Sequence, residues 1–386
     1  MEGFFDERTC LCALNRIFGY SPRTGRELCA AAGSARAVFS IPKEELVRML
    51  GEEAFLAEKV GQAALEAAVR ELEGIARKGG RFLSIEDEGY PEILLECPDP
   101  PLGLYLRSES PPGLIFDFRP AVAVVGTRKV TPYGDAWCRR IVETLASAAV
   151  KPVIVSGLAF GTDRIAHETA LRCGLPTIGV MATGIDDIYP WQHRPLAERM
   201  SREEGCALLT DYPTGTAPVA LNFMRRNRII AGLARATVVI ESGVKGGSLI
   251  TARYANEYSR DVFALPGRLD DPFSAGCNNL IMNRMADIIA DPDSLAEKLG
   301  LTPVRPRREL LLKERIEDRF STGCTPEERR FLLEIAGKID ANRGITAEGL
   351  AALTGRPYPE IAGAVTRLSA EGIVATDLLQ RCSIVK

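Results

Sequence analysis

The sequence predicts an α/β fold built on a doubly wound parallel sheet. Three observations predict it. One unit recurs between Ala121 and Asp291: an apolar run, a glycine-rich turn, then an amphipathic stretch. The apolar runs are continuous rather than alternating, as in strands buried on both faces. Strand-like and helical patterns then alternate at the spacing of right-handed crossovers.

Residues 1–85 read as a helical domain. Leu11, Leu14, Ile17 and Phe18 recur at helical spacing, and a Gly19-Tyr20-Ser21-Pro22 turn leads into a second helical run over residues 24–32. Two helices about a glycine turn resemble a helix-hairpin-helix. This turn lacks the Gly-x-Gly form that presents amides to phosphate, so it reads as a packing element. Residues 86–120, proline-rich from Pro91 onward, read as a connecting segment.

The core spans residues 121–300. It opens with the strand Ala121-Val122-Ala123-Val124-Val125, and Thr131 with Pro132 makes an N-cap and N1 pair for the helix that follows. Further strands are predicted at residues 153–155, 177–181, 207–209, 237–240 and 262–265. Helices are expected between them at about 162–172, 195–203, 225–233 and 249–258. Residues 301–322 carry a Pro, Arg and Glu bias and read as a solvated linker. The last block, residues 323–386, has the order helix, turn, helix and strand pair of a winged-helix domain.

Bulk properties exclude several classes. The 386 residues carry a net charge of −3, so any nucleic-acid contact must be a local basic patch. No apolar run approaches the roughly 20 residues of a membrane span. The N-terminal residues show no signal-peptide pattern, so a cytoplasmic location without membrane association is expected. The ten cysteines are scattered without a C-x-x-C pair, and His167 and His193 are the only histidines. Reduced, buried thiols are therefore expected, with no metal and no cofactor.

Glycines, amides and cations collect where the strands end, and ligands of open α/β sheets gather at those ends. Gly126, Thr127 and Arg128 follow the first strand. Ser156, Gly157 and Gly161 precede the helix at 162. Lys245, Gly246, Gly247 and Ser248 form a second turn, and Arg225, Arg226, Asn227 and Arg228 open another helix. Cations near a helix N-terminus are electrostatically unfavourable unless an anion lies between them or they pair internally, here with Asp211 or Glu241. Such a rim suits phosphate. Neither a dinucleotide fingerprint nor a P-loop occurs, and no catalytic residue is assigned. His167 has no nucleophile suggested beside it and reads as a packing residue. The aromatic loop Tyr189-Pro190-Trp191-Gln192-His193 suits either base stacking or closure of the sheet end.

Taken in order, these turns resemble the DprA/Smf family of DNA processing proteins. The matching segments are Val125 to Arg128, Ser156 to Ala159, Gly184 to Pro190, Phe223 to Leu233, Lys245 to Ala252, Phe263 to Gly267 and Gly276 to Ile281. The resemblance implies an extended Rossmann-like core, preceded by a helical (helix-hairpin-helix or SAM-like) domain and followed by a winged helix. It implies a non-enzymatic protein that binds and protects single-stranded DNA, dimerises through the core, and loads a RecA-type recombinase during natural transformation. It places Arg128, Lys245 and Asn278 in the DNA pocket. Three positions depart from the family pattern: Thr162 stands where Ile is commoner, Gly246 replaces Ser, and Arg284-Met285 replaces Gly-Ala.

Two other readings compete. A LOG-type nucleotide phosphoribohydrolase shares a related sheet and carries Pro-Gly-Gly-x-Gly-Thr-x-x-Glu. The equivalent strand end here, Glu241 to Ser248, has no such glutamate downstream. A transcriptional regulator rests on the tail alone, whose candidate recognition helix sets Arg367 against Glu360 and Glu371, a poor match for a DNA groove.

Overall fold

The computed structural model describes residues 5–116, 119–301, 308–321, 323–342 and 344–385, with the backbone alone for 308–311. It divides into two compact units, Met1–Pro303 and Val304–Lys386.

The first unit is mixed α/β around a nine-stranded, mostly parallel sheet. Its strands are β1 (Gly80–Ser84), β2 (Gly103–Arg107), β3 (Ala121–Val125), β4 (Val153–Ser156), β5 (Thr177–Val180), β6 (Ala207–Thr210), β7 (Ala236–Val239), β8 (Asp261–Ala264) and β9 (Asp287–Ile288). Their spatial order is β1-β2-β6-β5-β4-β3-β7-β8-β9. The seven strands from β3 to β9 run parallel, while β1 and β2 add an antiparallel edge beyond β6.

The period of two in the strands explains the two covered faces. Along β3, Val122 and Val124 join one apolar cluster while Ala123 and Val125 join the other. In β4, Ile154 takes the first side, Val153 and Val155 the second. The helices Pro132–Ala146 and Thr162–Arg172 bury Ile141, Leu145 and Ile165 on the first face. The helices Ala220–Gly232 and Ser248–Glu257 bury Ile229, Ile230, Ala252 and Ala255 on the second. With β4 following β3 and β7 on its other side, the strand order reverses at β3. The crevice outside its carboxyl end is the usual place for a ligand.

Two segments differ from expectation. The stretch read as a connection, residues 86–120, contains β2, and β1 lies at the end of the helical domain. Each holds only two or three apolar residues bounded by a glycine and a polar or charged residue, and β2 follows a proline run, so neither reads as a continuous apolar strand. Gly103 makes the pairing possible, because a Cβ there would sit 2.0 Å from the Phe82 ring. The N-terminal helices share one core with this sheet edge: Leu11, Leu14, Phe18 and Leu65 cluster with Tyr105, Met181 and Leu208.

The second unit has helices Arg308–Arg319, Pro326–Ala341, Ala347–Thr354 and Tyr358–Ala370. Its small sheet joins β10 (Ile345–Thr346), β11 (Val374–Thr376) and β12 (Arg381–Ile384) in the order β10-β12-β11, all antiparallel. Thr325 and Glu328 close a capping box on the second helix. The linker expected at 301–322 contains the Arg308–Arg319 helix, apart from 302–307 and 322, which lie outside the described residues. Leu312, Ile316 and Phe320 recur every four residues and enter the core with Leu332, Ile335 and Leu368. Charged neighbours mask that stripe in the composition.

Candidate nucleic-acid interface

A cleft of about 520 Å³ opens at the carboxyl end of β3. The turn after β3 supplies Gly126, Thr127 and Arg128 to it. The Ala220–Gly232 helix supplies Phe223, Arg226 and Asn227, and the turn before Ser248–Glu257 supplies Gly246, Gly247 and Ser248. Ala159, Asp163 at the start of the Thr162–Arg172 helix, Tyr189, Pro218 and Met224 also lie on the lining. Three helix N-termini thus border one cleft, and their partial positive charges add to the cations there.

Each wall is held by bonds that local sequence dictates. Thr127 Oγ1 accepts from the Lys129 amide at 3.1 Å, and the Thr127 carbonyl accepts from the Thr162 amide at 3.2 Å and the Thr162 hydroxyl at 3.3 Å. The departure from Ile at 162 therefore adds a hydroxyl that ties two rim turns together. Gly161 has φ +75°, and a Cβ there would lie 2.3 Å from the Thr127 oxygen, so close approach of these turns needs glycine. Ser248 Oγ donates to Ser242 Oγ at 2.9 Å, and Asn227 Nδ2 donates to the Gly247 carbonyl at 3.1 Å. A Cβ on Gly246 would meet Ser242 Oγ at 2.1 Å, so a serine at 246 would force the Ser242 hydroxyl away from its bond with Ser248. Among the described residues, the Gly247 and Ser248 amides donate to no protein acceptor.

Arg226 is the buried cation of the cleft, 4% exposed. It donates to the Gly157 carbonyl at 3.0 Å, to the Val180 carbonyl, and through Nε to Asn227 Oδ1 at 3.2 Å. Burial lowers its pKa from the ordinary arginine value, against the attraction of Asp163. Burial likewise raises the Asp163 carboxyl, with Arg226 opposing. Arg128 is the exposed cation; it lies over the Phe223 ring at 4.8 Å and pairs with no carboxylate among the described residues. Tyr189 meets Phe223 edge-on at 5.6 Å.

The structure gathers eight of the residues singled out from sequence: Gly126, Thr127, Arg128, Arg226, Asn227, Gly246, Gly247 and Ser248. Lys245 is exposed at the adjoining turn and makes no ion pair among the described residues. Six others are not brought to the lining, each for a visible reason. Ser156 is buried and donates to the Val124 carbonyl at 2.6 Å. Gly157 lies behind Arg226, and Gly161 serves the contact between turns. Arg225 lies over Tyr20 at 4.7 Å and donates to the Tyr20 carbonyl, so it clamps the Gly19-Tyr20 turn of the helical domain. Arg228 is buried against Asp211 at 2.6 Å and donates to the Asp99 carbonyl at 2.5 Å. Asn278 accepts from the Gly267 amide and donates to the Gly267 carbonyl, both at 3.1 Å, which occupies both ends of its amide.

Glu241 pairs with none of these arginines. It is fully buried and accepts from the Thr131 amide at 2.9 Å and the Thr131 hydroxyl at 2.5 Å, at the N-terminus of Pro132–Ala146. His167 is a packing residue, with Nδ1 2.7 Å from Thr177 Oγ1. Local sequence pattern marks neither Asp163 as the charge partner of Arg226 nor Phe223 as an aromatic surface under Arg128. Phe223 stood in the quoted motif, immediately ahead of the arginines.

The fold and cleft define an α/β protein whose amide- and cation-lined crevice sits at the switch point of a mostly parallel sheet. Residues 81–300 match the sequence profile of the DNA recombination-mediator protein A family. The chain belongs to that family, the DprA/Smf proteins. It is 44% identical to Protein Smf of Synechocystis over 237 residues, which is 60% of this chain and 57% of that protein. It is 35% identical to Protein Smf of Escherichia coli over 299 residues, 76% of this chain and 75% of that protein. The structure of DNA processing protein A from Streptococcus pneumoniae is similar with a TM-score of 0.63 and 29% identity, covering 74% of this chain and 95% of that one. That of DNA processing protein A from Helicobacter pylori, described with a single-stranded DNA binding mode, is similar with a TM-score of 0.50 and 30% identity. It covers 57% of this chain and 95% of that one. No helix among the described residues is long and apolar enough to cross a membrane.

Proposed function

We propose that the cleft at β3 holds the backbone of single-stranded DNA, and that the protein binds this ligand without transforming it. The observation that carries the reading is the convergence of Arg128, the Gly247 and Ser248 amides and three helix N-termini on one cleft, beside the aromatic surface of Phe223 and Tyr189. Amides and cations hold phosphates of any sequence, and aromatic faces accept any base. The one carboxylate on the lining, Asp163, is offset by Arg226 and does not cancel the field. No side chain on the lining is placed as a nucleophile with its base, which supports retention rather than catalysis.

By the same reading the core is an extended Rossmann-like domain, the front helices a helix-hairpin-helix or SAM-like module, and the second unit a winged helix serving protein contacts. Two copies paired through the core multiply a weak patch into a stable grip. Strands held this way are sheltered in the cytoplasm and handed to a RecA-type recombinase in natural transformation.

The test is a titration of fluorescent oligo-dT against the wild type and Arg128→Ala/Lys245→Ala at two salt concentrations. Loss of affinity, with a salt slope shallower by about 1.4 for two phosphate contacts, supports the reading. Equal binding by both proteins, or binding by neither, overturns it.

A further inference from the structure

A second cleft, about 350 Å³, opens beside the same loops that border the first. The first cleft uses Tyr189 and Pro218 from the segments after β5 and β6; the second uses Ile185, Asp186 and Thr214 from those same segments. Its opposite wall is the Gln62–Arg77 helix and the turn into β1, and Arg107 of β2 lies at its edge.

Three cations line it: Arg70, Lys78 and Arg107. Among the described residues none of their side chains makes a hydrogen bond or an ion pair, and Arg70 and Lys78 are exposed. The two carboxylates of the cleft are already engaged. Glu71 pairs with Arg16 and accepts from the Thr214 amide at 2.6 Å, and Asp186 accepts from the Gly215 amide at 3.0 Å. Asp186 keeps its negative charge, but the three cations outnumber it and the cleft is net positive.

Spacing and shape decide the ligand class. Arg70, Gly74 and Lys78 fall at intervals of four on one helical face, so the two cations stand about 12 Å apart along the axis. Set one after the other along the helix axis, with Arg107 at the edge, the cations form a row that suits a linear polyanion. Gly74 leaves the groove open between them, because a Cβ there meets nothing within 4 Å. A glycine inside a helix is destabilising relative to alanine, and no packing contact requires it here. The lining contains no aromatic side chain, so it offers bases no stacking surface.

We propose that this second cleft takes the phosphodiester backbone of the same single strand as it leaves the first, a step that rests on the DNA reading of the first cleft. Ile185 and Tyr189, which border the two clefts, lie at most about 14 Å apart along the chain, so the track between them is short. Bases stack at Phe223 and Tyr189, and the backbone then runs along Arg70 and Lys78.

The experiment compares oligo-dT of about 3 and about 20 nucleotides, of which only the longer can span the roughly 14 Å between the clefts and run on to Lys78. The wild type, Arg70→Ala/Lys78→Ala and Arg128→Ala/Lys245→Ala are titrated with both, and thermal melts check folding. The proposal expects Arg70→Ala/Lys78→Ala to bind the short oligomer like the wild type. It should bind the long one more weakly, with a salt slope shallower by about 1.4 for two lost contacts. Wild-type affinity and slope for the long oligomer in that variant overturn the second cleft alone. Failure of the wild type to bind the short oligomer, or unchanged binding by Arg128→Ala/Lys245→Ala, overturns the first-cleft reading and the extension with it.

Discussion

The guanidinium of Arg128 lies 4.8 Å from the centroid of the Phe223 ring, and that contact joins the turn after β3 to the Ala220–Gly232 helix across the mouth of the cleft. It places a cation and a planar surface side by side, the pair a nucleotide needs for its phosphate and its base. Phe223→Ala should weaken oligo-dT binding by about 1–3 kcal/mol, roughly 5- to 150-fold, through lost stacking and a freed Arg128. Phe223→Trp should retain most of the affinity. Fluorescence anisotropy at fixed salt makes the comparison.

Gly157→Ala tests the support behind the cleft. A Cβ at 157 would lie 2.4 Å from the Arg226 guanidinium and 2.6 Å from an Asp163 oxygen, both buried. Overpacking of this kind costs about 1–3 kcal/mol, and it displaces a lining cation. Chemical unfolding should show the stability loss, and the same variant should bind oligo-dT less tightly than its folded fraction accounts for.

Arg228 is expected to matter for stability alone. Its ion pair with Asp211 is buried on both sides, so Arg228→Ala leaves an uncompensated carboxylate at a cost of about 3–5 kcal/mol. Arg199→Ala, which breaks the half-exposed pair with Glu203, should change stability by less than about 1 kcal/mol. Urea denaturation separates the two.

Asn278→Ala separates a brace from a DNA contact. With both amide atoms bonded to Gly267, the substitution should lower stability by about 1–2 kcal/mol and leave the oligo-dT affinity of the folded protein unchanged. A loss of affinity in a fully folded variant, at an unchanged salt slope, would restore the direct contact that the family resemblance implied.

Acid should weaken the fold through His167. Burial pulls its pKa from 6.5 down to about 3. Between those values the unfolded chain takes up a proton that the native chain refuses, so stability is complete above about pH 6.5 and falls as pH drops toward 3. The slope contributed by this one site is at most about 1.4 kcal/mol per pH unit. His167→Gln should be less stable at neutral pH yet lose less on acidification, a difference that melting curves across this range will show.

The readable parts of the chain were those with local signals. The apolar run at β3 and the helix Thr162–Arg172 stand at the residues their patterns indicated, because burial on two faces and helical spacing are written in adjacent positions. β1 and β2 escaped because each carries only two or three apolar residues between a glycine and a polar or charged end, and β9 because it is two residues long at the sheet edge. The Arg308–Arg319 helix escaped because its apolar stripe is narrow and its remaining positions are charged. The four consecutive residues 225–228 show the same limit at the site. Their type announced a functional or structural cluster, but a helix turns by about 100° per residue, so neighbours face different partners. Arg225 reaches Tyr20, Arg226 the cleft and Arg228 Asp211. Nothing adjacent in sequence encodes a partner 205 residues away.

The most direct test of the central claim is to cross-link a photoreactive thymidine oligomer to the protein and map the modified peptides. Adducts are expected on Tyr189 and on Phe223 and Met224 at the cleft, and should be lost in Arg128→Ala/Lys245→Ala. Adducts confined to residues 308–385, or a pattern unchanged in that variant, would contradict it.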